Sequence, residues 1–556
     1  MFFSKKSIYY TIFFIIVIFL TFFYYYGIFH YHYLVPPGDD GIRHMTEAQD
    51  TILAGKTLVF EGSQDPPLFH ILLACLSLAT KTSIVPLTLF FTAFLTITAA
   101  LSLYFLARRF FKNYLLALFV PLLLILLSPQ PANIYDAGTY LNIFAAFFLM
   151  IIGFANLPSI FLKRNIDWQK IVLLSVLFGA VILSHSLSTT YFVLIFLFLI
   201  VGLLISRLFS MKSLLILIQK ARGSFVPIGI GTQDDTVKKV YFKNFLVLIL
   251  ILAVFFIPFT WHFYSNFFFQ KVTDIFFESQ DGIQEEAGTA YLNFIPELSY
   301  YGRALGSIIW GLGLIAFLWC LTYDVKHRIS IYRMIVLLWA LALFFGSRYK
   351  FFVLPLRFGR DLVVPFVILI CIFLFYYLPF LRFNKLIKYF VILLLVFALP
   401  KFFAQAVKYN QMVRLQRLDE KAITWIKEHT KKNDVILVYP PTISMGSWGS
   451  YVNLLTSRAT ADGEDCQKKK NQPYKKCDQI YNPNSGKSKK FYLDNSVNYV
   501  YAGKKILGHF IGEKRIEWDY QNRLLKAEFL KKVAEFPESE KLGKVMIFEV
   551  QEEKIN

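Results

Sequence analysis

The chain has 556 residues, of which 56% are hydrophobic, and Phe alone accounts for 60 of them. Apolar runs as long as those in this sequence exclude a soluble protein and indicate an integral membrane protein. The formal net charge of +21 is explained by basic cytoplasmic loops and a basic C-terminal region. No nucleic-acid-binding motif accompanies the charge, so nucleic acid is not expected as a partner.

The first apolar run follows Lys5 and Lys6 and is longer than the core of a signal peptide. Because no small-residue cleavage site follows it, we interpret it as a signal anchor that spans the membrane. It is the first of eleven apolar segments predicted to be transmembrane helices. They lie near residues 8–29, 84–107, 113–128, 139–162, 170–186, 189–206, 244–260, 301–322, 333–346, 362–381 and 388–404.

Basic residues in the short linkers predict the orientation of these helices, since Lys and Arg are enriched on the cytoplasmic side. With a cytoplasmic N-terminus, the basic linkers all lie on that side: 108–112, 163–164, 207–243, 326–333 and 382–388. The alternate linkers then lie outside, together with the C-terminal region: 30–83, 129–138, the residues around His185, 261–300 and 347–361. This orientation requires that the apolar run 68–80 does not cross the membrane. Its length of about thirteen residues suits a re-entrant or interfacial helix.

The predicted fold class is an α-helical polytopic membrane protein with about 11 transmembrane helices and a small C-terminal extracytoplasmic α/β domain. The transmembrane domain would comprise residues 1–404, with a first outer loop at 30–83, and the soluble domain residues 405–556. The soluble domain is predicted to contain helices at 418–429 and 521–535, strands at 434–439, 497–501 and 544–550, and a loop at 462–490. Cys466 and Cys477 in this loop either form a disulfide or remain free thiols.

The first outer loop has the densest group of polar residues. Asp40, Arg43, His44 and Glu47 share one face of a predicted helix, which Gly55 would end. Downstream, Asp65 precedes Pro66, Pro67 and the apolar helix that carries His70. One interpretation is that Asp39 and Asp40 only cap the first helix. The convergence of three carboxylates and two histidines at one membrane surface favours a functional site.

This arrangement resembles the GT-C superfamily of polytopic glycosyltransferases, which includes protein O-mannosyltransferases, aminoarabinose transferases and oligosaccharyltransferases. The resemblance rests on the acidic pair Asp39-Asp40 just after the first span, on the helix that follows it, and on Asp65-Pro66-Pro67-Leu68. It covers about 110 N-terminal residues by motif and the rest of the chain by architecture. It implies a GT-C-like fold and an enzyme that moves a sugar from a polyprenyl-phosphate-linked donor to an acceptor on the extracytoplasmic face.

The resemblance also implies roles for individual residues. Asp40 or Asp39 would act as general base in an inverting displacement, and Asp65 is the third candidate catalytic carboxylate. The leaving phosphate needs cations, which the predicted outer loop 347–361 supplies in Arg348, Lys350, Arg357 and Arg360. Arg357 and Arg360 are the favoured ligands, since an Arg fork binds phosphate oxygens at two points. The alternatives for these cations are pairing with Asp361 or with lipid headgroups.

Further residues on the same side are candidates for substrate or metal binding. Arg43, His44 and His70 are assigned to substrate binding, as is Asp136, which could line a groove together with Tyr135, Tyr140 and Asn142. Asp39, Asp40 and Glu285 could supply oxygen ligands to Mg²⁺ or Mn²⁺. Some GT-C branches use a divalent cation and others do not, so metal dependence stays open.

The sequence lacks a nucleotide-binding glycine loop, which favours a lipid-linked donor over a nucleotide sugar. The expected partners are a polyprenyl-phosphate sugar donor, a glycan, lipid or protein acceptor, and membrane lipids. The alternative function is a transporter or flippase for a lipid-linked or anionic substrate. Transporters place charges near the bilayer midplane and often show paired halves, whereas the charges here lie in predicted surface loops. The expected location is the cell membrane, with the N-terminus cytoplasmic.

Overall fold

A computed structural model describes a large part of the chain: residue 13 and residues 40–55, 66–111, 114–130, 140–208, 243–256, 295–327, 331–348, 355–377, 417–439, 452–453, 455–461, 483–503, 509–511, 514–516, 520–539 and 543–555. The chain divides into two compact units. The first comprises Met1–Phe22, Thr57–Ile71 and Thr92–Tyr409, and the second Phe23–Lys56, Leu72–Phe91 and Asn410–Asn556. The division of the sequence at residue 404 stays a prediction.

Helices account for most of the described residues up to 377. In chain order they are α1 (Asp40–Ala54), α2 (Leu68–Thr80), α3 (Ile84–Phe110), α4 (Tyr114–Leu127), α5 (Tyr140–Phe161), α6 (Trp168–Ser184), α7 (Ser186–Leu208), α8 (Lys243–Phe256), α9 (Leu298–Leu305), α10 (Ser307–His327), α11 (Ile331–Arg348) and α12 (Pro355–Tyr376). The predicted helices of the first outer loop are confirmed. Gly55 follows α1 with a φ of +62°, a conformation that glycine adopts without strain and that commonly ends a helix.

Four of these helices are long and apolar enough to cross a membrane within the described residues, namely α3, α5, α11 and α12. A fifth span results if α9 and α10 are counted together, although the chain bends by 112° between them. The bend lies at Gly306, whose φ is +92°. The predicted spans near 8–29, of which only Phe13 is described, and 388–404 lie outside this part of the chain, so the count of eleven stays a prediction.

Two hydrogen bonds within the first unit show that the helix ends form two sets. At one end, Asn142 near the start of α5 donates a hydrogen bond to Asp361 of α12. At the other end, Arg109 near the end of α3 donates to Asn156 of α5 at 2.9 Å. The grouping agrees with the predicted alternation of linkers, because 129–138 and 347–361 border the first set and 108–112 borders the second. The membrane face of each set stays a prediction.

The C-terminal region contains a five-stranded sheet with the order β2-β1-β3-β7-β6. Its strands are β1 (Val435–Tyr439), β2 (Ala459–Ala461), β3 (Val497–Ala502), β6 (Leu530–Ser539) and β7 (Gly543–Val550), while β4 (His509–Ile511) and β5 (Lys514–Ile516) form a separate hairpin. The strands β2, β1 and β3 are parallel, whereas β7 and β6 are antiparallel to their neighbours. The strands predicted at 434–439, 497–501 and 544–550 are therefore confirmed.

Alternating side chains of the sheet form two cores. Leu437, Val500 and Phe548 lie in the first core with residues of α14 (Gly486–Asp494) and α15 (Tyr520–Leu525). Their sequence neighbours, such as Ile436, Tyr501 and Ile547, lie in the second core with residues of α13 (Arg417–His429). Because successive side chains of a strand point to opposite faces, the sheet is covered on both sides.

Two predictions for this region are wrong. The helix predicted at 521–535 ends at Leu525, and the chain then enters strand β6 at Leu530. The sequence there is rich in Leu, Ala, Glu and Lys, which favour a helix, but pairing with β7 overrides that local preference. The loop predicted at 462–490 contains the start of helix α14, which Ser485 caps by accepting a hydrogen bond from the Ser488 amide. Cys466 and Cys477 lie outside the described residues.

Candidate active site

Arg357 and Arg360 lie in the first turns of an apolar span. We predicted a loop over 347–361, but α11 continues to Arg348 and α12 begins at Pro355. Proline is favoured at a helix start because the amide it lacks has no partner there. The prediction was wrong because charged residues in an apolar segment usually indicate a loop. Here the helix carries them into the protein, and the Arg360 side chain is only 12% exposed.

The buried charge of Arg360 is paired with Asp361, whose side chain is 4% exposed. Arg360 donates from Nε to Asp361 Oδ1 at 2.9 Å. The second oxygen, Asp361 Oδ2, accepts a hydrogen bond of 3.2 Å from the Asn142 amide nitrogen. Pairing of these cations with Asp361 was an alternative left open by the sequence, and Arg360 adopts it. The contact with Asn142 joins residues 219 positions apart in the chain.

Three buried polar atoms around this pair have no hydrogen-bond partner among the described residues: Arg360 Nη2, Asn142 Oδ1 and the Tyr191 hydroxyl. Tyr191 interacts with Asp361 electrostatically and through a hydrogen bond of loose geometry, which leaves its hydroxyl without a partner at standard distances and angles in the described part of the chain. A buried donor or acceptor without a partner costs roughly 1–3 kcal/mol, and more when the group is charged. A cluster of buried polar atoms without partners is typical of a site where a polar ligand supplies the missing hydrogen bonds.

Hydrogen bonds connect the surrounding helices to the start of α12. The Tyr300 hydroxyl donates to the Leu356 carbonyl at 2.9 Å, and the hydroxyls of Tyr301 and Ser347 are 2.6 Å apart. Arg348, a predicted phosphate ligand, donates from Nη1 to the Pro296 carbonyl. That bond uses part of its guanidinium to hold the backbone. Arg360 thus has the clearest unused donor of the described cations in the predicted set.

A π-helical stretch, Ile143–Leu149, begins directly after Asn142. π-helical segments are rare and occur frequently at functional sites, since they shift the side chains of the helix out of register. Phe144 in this stretch contacts Phe69 of α2, with ring centroids 5.9 Å apart. His70, a predicted substrate ligand, is the next residue of α2 and is buried. The start of α2 therefore lies near the Asn142 end of α5.

The acidic pair at the start of the chain is described only in part. Asp40 is the first residue of α1, and Arg43 lies in the same helix. His44 is buried, as are Met45 and Ala48 on the same face. Burial also raises the pKa of the Asp50 carboxyl, with a smaller contribution from the charge of Glu47. The side chains of Asp40 and Arg43, and all of Asp39, Asp65, Asp136, Glu285 and Lys350, lie outside the described residues.

The described residues include no group of three or more His, Cys, Asp or Glu side chains that could hold a metal ion. Of the predicted metal ligands, Asp39 and Glu285 lie outside the described residues, and the side chain of Asp40 is not described.

Tyr191 was not singled out in the sequence, and Asn142 was named only as one residue of a groove. A signal for Tyr191 was present, because it follows a polar run, Ser186 to Thr190, at the predicted outer end of an apolar segment. Nothing in the sequence connects either residue to Asp361.

The fold built by these helices is similar to that of solved structures of GT-C glycosyltransferases. No protein-family model and no curated protein sequence matches the chain. The likeness is therefore one of structure.

Two of the similar solved structures are of the same bacterial protein. ArnT from Cupriavidus metallidurans in the apo state has a TM-score of 0.56 and 13% sequence identity, over 99% of this chain and 99% of that chain. ArnT bound to undecaprenyl phosphate has a TM-score of 0.54 and 12% identity, over 96% of this chain and 97% of that chain.

A third is archaeal. The oligosaccharyltransferase AglB from Archaeoglobus fulgidus, in complex with an inhibitory peptide and a dolichol-phosphate, has a TM-score of 0.53 and 13% identity. That match covers 90% of this chain and 69% of that chain. Identities this low establish the fold, and the function is argued from the site.

Proposed function

We propose that the protein is a membrane glycosyltransferase that moves a sugar from a polyprenyl-phosphate-linked donor to an acceptor on the extracytoplasmic face. The observation that carries the proposal is the buried guanidinium of Arg360, whose Nη2 has no hydrogen-bond partner among the described residues. A buried cation with an unused donor is suited to an anionic ligand such as a phosphate. The solved structures of two similar proteins contain polyprenyl phosphates, which supports this choice of donor.

In the proposed reaction, Asp40 or Asp39 takes the proton of the acceptor nucleophile as it attacks the anomeric carbon, and Asp65 is the third candidate carboxylate. The bond from the acceptor to the anomeric carbon forms with inversion. The bond from that carbon to the phosphate oxygen breaks, and its electron pair stays on the phosphate.

Arg360 and Arg357 stabilise the charge that develops on the leaving phosphate. Arg348 and Lys350 complete the proposed set of cations, and Arg43, His44, His70 and Asp136 contact the substrates.

The proposed orientation places the N-terminus in the cytoplasm and the C-terminal region outside, as the distribution of basic linkers favours. The acceptor is a glycan, a lipid or a protein. The transporter alternative is less well supported, because Arg360 and Asp361 lie in the first two turns of α12 rather than at the middle of a span.

The test is sugar transfer by the purified full-length protein from a panel of radiolabelled polyprenyl-phosphate sugars. Wild-type protein should transfer one of them, and Asp40→Asn should lower the rate at least about a hundredfold, since a general base contributes 10²- to 10⁴-fold. Asp50→Asn is the matched control, because it makes the same change on the same helix about 15 Å away. Wild-type protein that transfers no sugar to any acceptor would contradict the proposal.

A further inference from the structure

We propose that Asn142 and Asp361 are positioning residues, which keep one donor of the Arg360 guanidinium available for the phosphate of the lipid donor. This inference rests on the proposed function. It assigns to the amide of Asn142 the specific task of preventing Arg360 and Asp361 from completing their own ion pair.

Arg360 and Asp361 are joined by one hydrogen bond rather than two. A carboxylate that meets a guanidinium edge squarely accepts two parallel hydrogen bonds, one on each oxygen. Asp361 accepts only one from Arg360, from Nε to Oδ1 at 2.9 Å. Its Oδ2 accepts the amide of Asn142 instead, at 3.2 Å. The oxygen that would complete a two-point contact with Arg360 is therefore oriented toward Asn142, while Arg360 Nη2 stays unpaired among the described residues.

The guanidinium of Arg360 keeps one buried donor unused within the described part of the chain. Arg360 Nη2 is buried and has no hydrogen-bond partner among the described residues. An unpaired N–H of a buried cation is costly, so the arrangement is maintained against a local preference for a closed pair. A phosphate oxygen would accept a charge-assisted hydrogen bond from this donor.

Asn142 lies in a buried and irregular part of α5. It is fully buried, and the π-helical stretch of α5 begins at the next residue. Its own Oδ1 is also without a partner among the described residues. Asn142 thus contributes one hydrogen bond, to Asp361, and leaves a buried acceptor unsatisfied. If Asn142 served only stability, an apolar residue would serve better, because it would leave no buried oxygen unsatisfied.

The inference makes an unusual prediction for Asn142→Leu, which keeps the number and branching of the side-chain heavy atoms and removes the amide. Without the amide, Asp361 can turn Oδ2 toward Nη2 and close the pair with Arg360. The variant should therefore be as stable as wild type without ligand, or more stable. It should bind polyprenyl monophosphate about tenfold more weakly, because one charge-assisted hydrogen bond is lost. A purely structural role for Asn142 predicts a less stable protein instead.

The experiment measures the dissociation constant of a polyprenyl monophosphate and the unfolding temperature of the ligand-free, full-length protein in detergent. Asn156→Leu is the matched control, since Asn156 lies on the same helix and bonds Arg109 at the opposite end. It should leave the affinity for polyprenyl monophosphate unchanged. The exchange Asn142→Asp with Asp361→Asn keeps the volumes, the total charge and a partner for Nε. It should restore the affinity to within about threefold of wild type.

The results separate this inference from the proposed function. Wild-type protein that does not bind polyprenyl monophosphate would overturn both. Wild-type protein that binds it, with Asn142→Leu binding equally well, would overturn only the positioning role. If Asn142→Leu does not fold, the exchanged variant decides the question, because affinity lowered tenfold or more in a stable exchanged protein contradicts the inference.

Discussion

Gly346 of α11 lies against the ring of Phe358 in α12, so closely that a Cβ on residue 346 would overlap the ring atom Cδ1. Phe358 in turn meets the ring of Tyr191 edge to face, with centroids 4.3 Å apart. The missing side chain of Gly346 therefore determines how near α11 can approach the helix that carries Arg357 and Arg360.

Gly346→Ala should destabilise the protein by about 1–3 kcal/mol, because the added methyl group overpacks a buried ring that cannot move without displacing Tyr191. The measurement is thermal unfolding of the purified protein. Gly311→Ala is the control, since a Cβ there meets nothing within 4 Å and alanine is the better helix former. Equal stability of the two variants would show that the ring of Phe358 can shift to accommodate the added methyl group.

Gly306→Ala should be more harmful than Gly346→Ala. Its φ of +92° is strained for any residue with a Cβ, and the added atom would overlap the backbone carbonyl of Leu127. Backbone cannot rotate away as a side chain can, so we expect a loss of about 3 kcal/mol or more, or failure to fold. Expression and unfolding temperature of the two variants, compared side by side, check the order. A milder effect at Gly306 would argue against the bend between α9 and α10.

The contact between Tyr301 and Ser347 should respond unequally to removal of its two hydroxyls. Tyr301→Phe leaves the Ser347 hydroxyl bonded to the Phe344 carbonyl, so the loss should be about 0.5–1.5 kcal/mol. Ser347→Ala leaves the buried Tyr301 hydroxyl without this contact and should cost about 1–3 kcal/mol. Unfolding free energies of both single variants and of the double variant form a cycle that isolates the pair. The reverse order of the single variants would contradict the proposed geometry.

Glu535 should make the stability of the C-terminal sheet depend on pH. Hydrogen bonds from Lys532 and Lys544 lower the pKa of its carboxyl in the folded state. A group whose pKa is lower when folded contributes stability above its unfolded pKa, and loses it as the pH falls through the folded value. Glu535→Gln should therefore lower the unfolding temperature more at pH 7 than at pH 3. Calorimetry of the full-length chain checks this, with the exposed Glu528→Gln as control. A difference that is the same at both pH values would exclude the carboxylate as its cause.

The parts of the fold that were predictable depend on local signals. Hydrophobic periodicity and helix-ending residues within about fifteen residues predict helix α1 with its end at Gly55, the short apolar helix α2 and strand β1. The resemblance to GT-C enzymes, read from short N-terminal motifs, is confirmed at the level of the fold.

What the sequence did not reveal is long-range. Strand β6 looks helical by composition, and only its pairing with β7 makes it a strand. The buried site is assembled from Asn142, Tyr191 and Asp361, which lie on three helices far apart in the chain. The span that begins at Pro355 was read as a loop because its two arginines and one aspartate outweigh its apolar residues locally.

The five-stranded sheet has two edges, and both are poor templates for another strand. At one edge β2 has only three residues. At the other, β6 presents Lys531 and Lys532 to solvent, contains Pro537 and is interrupted twice in its register with β7. Short strands, lysines, proline and bulges each hinder edge-to-edge pairing. Copies of this protein concentrated in one patch of membrane should therefore not polymerise through the edges of their sheets.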